Sequence, residues 1–77
     1  MTTEQFLVEF AEVVAADAGS LRSDTRLSSL EGWDSVAYLS TMVLLDEKLG
    51  VTVPHETLLE AKTVADLIRA ADGKIRD

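Results

Sequence analysis

The sequence predicts an all-α domain, a small four-helix bundle of three main helices and one short helix with a long first loop. Three observations support this fold class. The chain has 77 residues, enough for one domain, residues 1–77, with a single small core. Apolar residues recur at helical spacing between the four glycines and the single proline. No strand signal is strong enough to build a sheet.

The first helix is predicted from the apolar spacing of the N-terminal segment. Its apolar residues recur on one helical face: Phe6, Leu7, Phe10, Val13 and Val14. Thr2 and Gln5 stand three residues apart and predict a capping box at the start of this helix. Gly19 is the predicted C-terminal stop, because glycine readily ends a helix in the left-handed conformation.

A long connection follows between Gly19 and Asp34, rich in Ser and Asp and without regular periodicity. Its apolar residues are expected to attach it to the core: Leu21, Leu27, Leu30 and Trp33. A loop of this length in so small a domain is usually functional or packed by its own side chains. A second helix is then predicted from Asp34 to Leu49, ended by Gly50.

The last third of the chain predicts a brief helix and a final long one. Pro54 suits the first turn of a short helix that runs to about Ala61. Thr63 and Asp66 predict a second capping box, and Gly73 falls near the end of the last helix. The apolar stripe of this helix is Val64, Leu67, Ile68, Ala71 and Ile75. The core of the domain is expected to rest on Phe10, Val14, Leu45, Leu49, Leu67 and Ile68.

The predicted second helix carries two apolar stripes on a wheel of about 100° per residue. The core stripe is Tyr38, Met42, Leu45 and Leu49. The second stripe is Val36, Leu39 and Val43, centred roughly 120° away, with Ser40 and Glu47 at its edge. This second stripe is more apolar surface than a small core needs. Either the short helix and the long loop bury it, or a partner protein does.

Composition excludes several classes of function. Seven basic and 14 acidic residues give a net charge of −7, which disfavours nucleic acid and anionic membranes and favours a basic partner surface. With no Cys and one His, the chain offers no thiolate or multi-His metal site, so no metal is predicted. The longest apolar runs are too short to span a membrane, and the acidic N-terminus does not resemble a secretory signal. We expect a soluble, cytoplasmic monomer.

Ser35 is the candidate modification site. It follows Asp34 at the predicted N-terminus of the second helix, where free N–H groups and the helix dipole favour a negative group such as a phosphate ester. The simpler interpretation is that Asp34 or Ser35 merely caps the helix, the commonest reason for such residues at this position.

A self-contained active site is not predicted. Residues 32–36 lack the second glycine of a nucleophile elbow, and the chain has no strand to form one. His55 is the only histidine that could act as a base, and it follows Pro54 in a predicted exposed turn. The chain also lacks a glycine-rich phosphate loop. We therefore predict no catalytic residues and no enzymatic activity.

Several segments resemble acyl carrier proteins in order and spacing over nearly the whole chain. The sequence Gly32-Trp33-Asp34-Ser35-Val36-Ala37, with Leu27 and Leu30 before it, resembles the attachment motif of that family. Residues 49–54, Leu-Gly-Val-Thr-Val-Pro, look like the family's exit from its second helix. Residues 63–67, Thr-Val-Ala-Asp-Leu, look like the start of its last helix.

The resemblance implies a four-helix bundle without catalysis of its own. Ser35 would carry 4′-phosphopantetheine through a phosphodiester, installed from coenzyme A by a magnesium-dependent phosphopantetheinyl transferase. The terminal thiol would hold an acyl or aminoacyl group as a thioester, and Asp34 would cap the helix and assist recognition by the transferase. The second stripe would become a docking surface for partner enzymes. Glu47 would pair with basic residues of the partner, and Glu56 and Glu60 would extend the surface. Expected partners are an acyl- or aminoacyl-activating enzyme and a ketosynthase, acyltransferase or other tailoring enzyme.

Departures from the family pattern bear on the pathway. Carriers of fatty-acid synthesis usually have Leu after the modified serine and more acids along the recognition helix, whereas this chain has Val36, Ala37 and Ser40. Trp33 before the Asp is more typical of carriers in polyketide, hybrid or other specialised pathways. We expect a free-standing carrier of specialised metabolism. The alternatives are a carrier of housekeeping fatty-acid synthesis and an unmodified helical adaptor, in which Ser35 only caps its helix.

Overall fold

The computed structural model describes residues 1–76 and contains four α-helices and no β-strand within that range. The helices are α1 (Thr3–Val13), α2 (Ser35–Leu49), α3 (His55–Glu60) and α4 (Val64–Ala70). Two short 3₁₀ turns, Ala18–Ser20 and Leu27–Ser29, lie in the connection between α1 and α2. The predicted all-α fold with four helices and a long first loop is confirmed.

The helix starts follow the local capping signals. Thr2 Oγ1 accepts a hydrogen bond from the N–H of Gln5 at 3.0 Å, and Gln5 Oε1 accepts one from the N–H of Thr2 at 2.9 Å. This reciprocal pair is the predicted capping box of α1. At α4, Asp66 Oδ2 accepts from the N–H groups of Thr63 at 3.1 Å and Lys62 at 2.8 Å. Both helices begin where these pairs predict.

The end of α1 differs from the prediction. Gly19 is not the stop, because α1 ends at Val13 and Gly19 lies in the following 3₁₀ turn. Ala15 adopts the left-handed conformation, with φ of 55°, and the N–H of Ala16 donates to the carbonyl of Ala11 at 2.9 Å. This bond closes a Schellman-type end in which alanine occupies the position that usually carries glycine.

We expect Ala15→Gly to stabilise the domain. The left-handed conformation costs a residue with a Cβ atom about 1–2 kcal/mol, and glycine avoids that cost. The greater freedom of glycine in the unfolded chain offsets part of the gain, which leaves a net increase of up to about 1 kcal/mol. The free energy of unfolding in urea measures the change. Ala18→Gly is the control, since Ala18 has no positive φ and its variant should only lose stability. An Ala15→Gly variant no more stable than Ala18→Gly would contradict this expectation.

The core lies where all four helices and the first loop meet. Its buried apolar residues are Phe6, Phe10, Ala11, Val14, Leu21, Leu27, Ala37, Leu44, Leu45, Val53, Leu58, Val64, Leu67, Ala71 and Ile75. Of the six predicted core residues, only Leu49 and Ile68 are not fully buried, and both pack against the edge of this cluster. The last helix is shorter than predicted, because α4 ends at Ala70 after seven residues. Ala71 and Ile75 of its predicted stripe lie beyond the helix, although both are buried.

The buried face of α2 is rotated relative to the predicted core stripe. Its fully buried residues are Ala37, Thr41, Leu44 and Leu45. Only Leu45 belongs to the predicted core stripe, whose other members, Tyr38, Met42 and Leu49, are half-buried. The two faces differ by roughly 80° on a helical wheel. The small side chains of Ala37 and Thr41 let the neighbouring elements approach closely, a feature that a search for large apolar residues does not register.

The first loop is fixed to the α3–α4 connection. As predicted, Leu21 and Leu27 are buried, while Leu30 and Trp33 are half-buried against the core. The N–H of Leu27 donates to the carbonyl of Lys62 at 2.9 Å. The loop is therefore held by backbone bonds as well as by apolar packing.

The same loop satisfies the free N–H groups at the start of α4. The N–H of Val64 donates to the carbonyl of Thr25 at 3.0 Å, and that of Ala65 donates to the carbonyl of Ser23 at 2.7 Å. First-turn N–H groups have no acceptor inside their own helix. The loop carbonyls supply those acceptors and so fix the position of α4 relative to the loop that leads into α2.

Candidate functional site

Asp34 and Ser35 lie at the N-terminus of α2 and have different roles there. Asp34 is the N-cap in an extended conformation, and its Oδ1 accepts a hydrogen bond from the N–H of Ala37 at 2.9 Å. Ser35 is the first helical residue and is exposed. Within residues 1–76, Ser35 Oγ has no hydrogen-bond partner. Asp34 therefore provides the cap, and the Ser35 hydroxyl is left free.

The first turn of α2 offers a favourable environment for an anion. Within the described part of the chain, the N–H groups of Ser35 and Val36 have no backbone acceptor. Such N–H groups, together with the helix dipole, favour a negative group at this end of a helix. An exposed, unpartnered hydroxyl beside them fits a residue that carries a phosphodiester.

Gly32 allows the end of the first loop to pack against the end of α1. A Cβ atom at Gly32 would lie 2.1 Å from the carbonyl oxygen of Val14 and 2.7 Å from its carbonyl carbon. The N–H of Asp34 donates to the carbonyl of Gly32 at 3.1 Å, which draws the chain into the start of α2. The glycine two residues before Asp34 is thus required by a close backbone contact that brings the loop into α2.

A continuous series of aromatic contacts connects the core to the start of α2. Phe6 stacks on Phe10 with ring centroids 5.7 Å apart, and Phe10 contacts Trp33 at 5.6 Å. Trp33 meets Tyr38 edge to face at 4.5 Å, and Tyr38 contacts His55 at 5.7 Å. Trp33 and Tyr38 flank Ser35 in sequence, so this packing fixes the turn on which Ser35 stands. His55 is exposed, as predicted, and is the first residue of α3.

The second stripe of α2 is exposed. Val36 is 69% exposed, Leu39 59% and Val43 52%. The alternative that the short helix and the long loop bury this stripe is therefore wrong. The stripe lies nearly opposite the buried face of α2, and the acidic side chains of Glu47 on α2 and Glu56 on α3 are also exposed.

A small hollow adjoins the second stripe at Val43. It has a volume of about 220 Å³ and is lined by Met42, Val43, Asp46, Thr52 and Val53. Its lining combines apolar side chains with the carboxylate of Asp46. This combination can receive one apolar side chain beside a basic one.

An open groove that the sequence did not predict lies beside the start of α2. Its volume is about 600 Å³, and its walls include Trp33, Tyr38 and Leu59 with Arg26 and Lys62. These residues come from three separate segments of the chain. Their assembly depends on the pairing of the first loop with the α3–α4 connection, which no local pattern reveals.

The described residues form neither a metal-ligand cluster nor a membrane-spanning helix. Residues 1–76 contain no group of three or more His, Cys, Asp or Glu side chains placed to hold a metal ion. None of the helices within that range combines the length and the apolar character needed to cross a lipid bilayer. The one ion pair in the described part of the chain joins Arg69 and Asp66, three residues apart on α4.

The chain is similar to known proteins over most of its length. A family model described as "Phosphopantetheine attachment site" matches residues 4–71. The acyl carrier protein MbtL of Mycolicibacterium paratuberculosis is 41% identical over 61 residues, which cover 79% of this chain and 68% of that protein. MbtL of Mycobacterium tuberculosis H37Rv is also 41% identical over 61 residues, 79% of this chain and 73% of that protein. MbtL of Mycobacterium sp. MCS is 37% identical over 59 residues, 77% of this chain and 66% of that protein.

No solved structure gives a significant match to the chain. The family model nevertheless spans most of the sequence, and the relatives align over more than three-quarters of it. The cofactor of this family is 4′-phosphopantetheine. By these matches the chain belongs to the acyl carrier protein family, whose members carry acyl groups rather than catalyse reactions.

Proposed function

We propose that the chain carries acyl or aminoacyl groups on 4′-phosphopantetheine attached to Ser35. The observation that supports this most is the free, exposed Oγ of Ser35 directly after the capping residue Asp34. The hydroxyl has no structural hydrogen bond to lose on modification. The capping carboxylate keeps the helix end formed whether or not Ser35 is modified.

Each residue of the site has a distinct part in attachment. Ser35 Oγ forms the new bond to phosphorus and gives up its proton. The pyrophosphate bond of coenzyme A breaks in the same step, and adenosine 3′,5′-bisphosphate leaves. Asp34, the neighbouring carboxylate, is engaged with the N–H of Ala37, and the proposed source of the base that accepts the proton is the transferase. The N–H groups of Ser35 and Val36 favour the resulting phosphodiester charge. When bound, 4′-phosphopantetheine supplies a terminal thiol that holds the acyl group as a thioester, a sulfur that this Cys-free chain lacks.

The second stripe is the proposed docking surface for partner enzymes. Val36, Leu39 and Val43 expose apolar area on one side of α2, beginning directly after Ser35. Glu47 and Glu56 supply negative charge around it. A partner surface with an apolar centre and basic rim would match this pattern, and charged rims raise association rates. We propose that the phosphopantetheinyl transferase and the acyl- or aminoacyl-activating enzyme bind this surface.

Val43→Asp should separate docking from folding. Because Val43 is half exposed, its substitution should change stability by no more than about 0.5 kcal/mol. The new charge should nevertheless slow modification by the transferase and loading by the activating enzyme, since it removes apolar contact and enters the interface. Val8→Asp is the matched control, an equally exposed valine on α1 that should leave both rates unchanged. Thermal melts and initial rates of each variant measure the two effects.

Glu47→Lys extends the same test to charge. It should slow association most at low salt, because high ionic strength screens a rim charge. If Val43→Asp unfolds the domain, or slows the enzymes no more than Val8→Asp does, the docking surface must lie elsewhere.

The proposed pathway is specialised metabolism, in a polyketide or hybrid system. Val36 after Ser35, Trp33 before Asp34 and the scarcity of acids along α2 support this choice over housekeeping fatty-acid synthesis, the second candidate. A ketosynthase, acyltransferase or other tailoring enzyme would then receive the cargo. We further propose that residues 1–77 act as one carrier domain, as a monomer in the cytoplasm.

Mass spectrometry tests the carrier role against the adaptor alternative. The purified chain is incubated with coenzyme A, magnesium and a phosphopantetheinyl transferase of broad specificity. A carrier should gain the mass of one phosphopantetheinyl group, whereas an unmodified adaptor should keep its mass. A known carrier protein treated in parallel establishes that the transferase is active.

A further inference from the structure

The groove beside the start of α2 is a preformed site with rigid walls. Arg26 and Thr63 pair as an isolated antiparallel bridge, and the N–H of Leu27 donates to the carbonyl of Lys62 at 2.9 Å. These backbone bonds hold the first loop and the α3–α4 connection at a fixed separation. The volume of about 600 Å³ lies within the range of small-molecule sites.

The apolar part of the groove is aromatic and aliphatic. Trp33 and Tyr38 contact each other edge to face at 4.5 Å, so their rings are fixed by packing. Leu59 lines the same groove and is 53% exposed. This lining offers an apolar ligand a ready contact surface.

The rest of the groove lining is polar and positively charged. Arg26 and Lys62 both line the groove, both are exposed, and neither forms an ion pair within residues 1–76. The hydroxyl-bearing residues Ser28 and Thr63 stand beside them. The whole chain has only seven basic residues against 14 acidic ones, so two unpaired cations on one small groove favour an anion there.

The groove is within reach of a group attached to Ser35. Trp33 lies two residues before Ser35 and Tyr38 three residues after it. On α2 this places Tyr38 about 4.5 Å along the helix axis from Ser35, at a rise of about 1.5 Å per residue. A flexible arm that starts at Ser35 can therefore fold back so that its free end enters the groove.

We propose that the groove binds the tethered acyl group and favours one with an apolar body and a free carboxylate at its far end. The proposal rests on the proposed attachment at Ser35. The apolar body would contact Trp33 and Leu59, and the carboxylate would pair with Arg26 and Lys62. An acyl group without a carboxylate would leave both cations unpaired, as would the uncharged pantetheine part of the arm.

Two acyl groups of equal length test this preference. The transferase loads the full chain from hexanoyl-coenzyme A or from adipoyl-coenzyme A, which differ by a terminal carboxylate, and mass spectrometry confirms each product. Two-dimensional NMR then follows the backbone amides of Arg26 and Lys62 and the indole of Trp33, the only tryptophan. The rate of thioester cleavage by hydroxylamine measures protection of the cargo.

The adipoyl form should shift these three signals more than the hexanoyl form does. Its thioester should be cleaved about two- to fivefold more slowly, the range expected for exposed ion pairs. The double variant Arg26→Gln, Lys62→Gln should abolish the difference. Lys74→Gln is the matched control, since it removes an exposed cation that does not line the groove.

Failure of the groove proposal and failure of attachment at Ser35 give different results. Equal shifts and equal cleavage rates in the two loaded forms would overturn the groove proposal and leave attachment intact. An unchanged mass after treatment with the transferase would overturn attachment at Ser35, and the groove proposal with it.

Discussion

Gly32→Ala is expected to destabilise the domain strongly. The added Cβ would lie 2.1 Å from the carbonyl oxygen of Val14, and this neighbour is backbone at the end of α1. A flexible side chain could move aside, but here the loop or the helix end must shift. Overpacking typically costs about 1–3 kcal/mol and sometimes more. A domain of this size has only a few kcal/mol of stability, so such a loss removes most of it.

Circular dichroism during a thermal melt measures this loss. Gly19→Ala is the matched control, because its Cβ would meet only the side chain of Asp17, at 3.4 Å, in ordinary contact. Gly19→Ala should melt like the wild type while Gly32→Ala should melt far lower. Equal melting of the two variants would mean that the first loop does not pack on α1 as described.

Leu45→Ala should also remove a large part of the domain's stability. Leu45 is fully buried and lies at the edge of the buried face of α2, beside Leu44. Truncation of a buried leucine to alanine typically costs about 2–5 kcal/mol, because apolar contacts are lost and a cavity remains. Much of the population should therefore be unfolded at moderate temperature.

Leu39→Ala provides the comparison within the same helix. Leu39 is 59% exposed on the second stripe, so its truncation should change the free energy of unfolding by about 0.5 kcal/mol or less. Urea titrations of both variants give the two free energies directly. If Leu39→Ala proved as damaging as Leu45→Ala, the buried and exposed faces of α2 would have been exchanged.

Sequence signals predicted the features that depend on neighbouring residues. The Thr2–Gln5 capping box fixed the start of α1, and Gly50, with φ of 68°, ends α2 as expected. Each signal acts within one helical turn, so the local sequence contains it. Ala15 gave no such signal, because an alanine in the left-handed conformation is held there by packing and hydrogen bonding of the whole segment.

Features that depend on contacts between residues distant in the chain could not be predicted from the sequence. The orientation of α2 is set by neighbours that approach Ala37 and Thr41, so a wheel of large apolar residues placed the buried face incorrectly. The groove requires Arg26 and Lys62 to meet across a long separation in the chain. The role of Gly32 likewise arises only when the loop reaches Val14.

The position of Asp34 and Ser35 at the start of α2 was predicted correctly, whereas the attachment role of Ser35 stays a prediction. The motif around Asp34 and Ser35 indicated both a helix cap and a modification site. It did not decide whether Asp34 or Ser35 caps α2. The hydrogen bond from the N–H of Ala37 to Asp34 shows which residue caps α2. Sequence also predicted a second stripe, but whether it was covered depended on the positions of α3 and the first loop.

The mass of Ser35→Ala after treatment with a phosphopantetheinyl transferase and coenzyme A tests attachment at Ser35 most directly. Asp34 still caps α2 in this variant, so its circular dichroism and melting curve should match those of the wild type. The wild type should gain one phosphopantetheinyl group, as should a Ser28→Ala, Ser29→Ala variant, whereas Ser35→Ala should gain none. A mass gain in folded Ser35→Ala, or its absence in the double variant, would contradict attachment at Ser35.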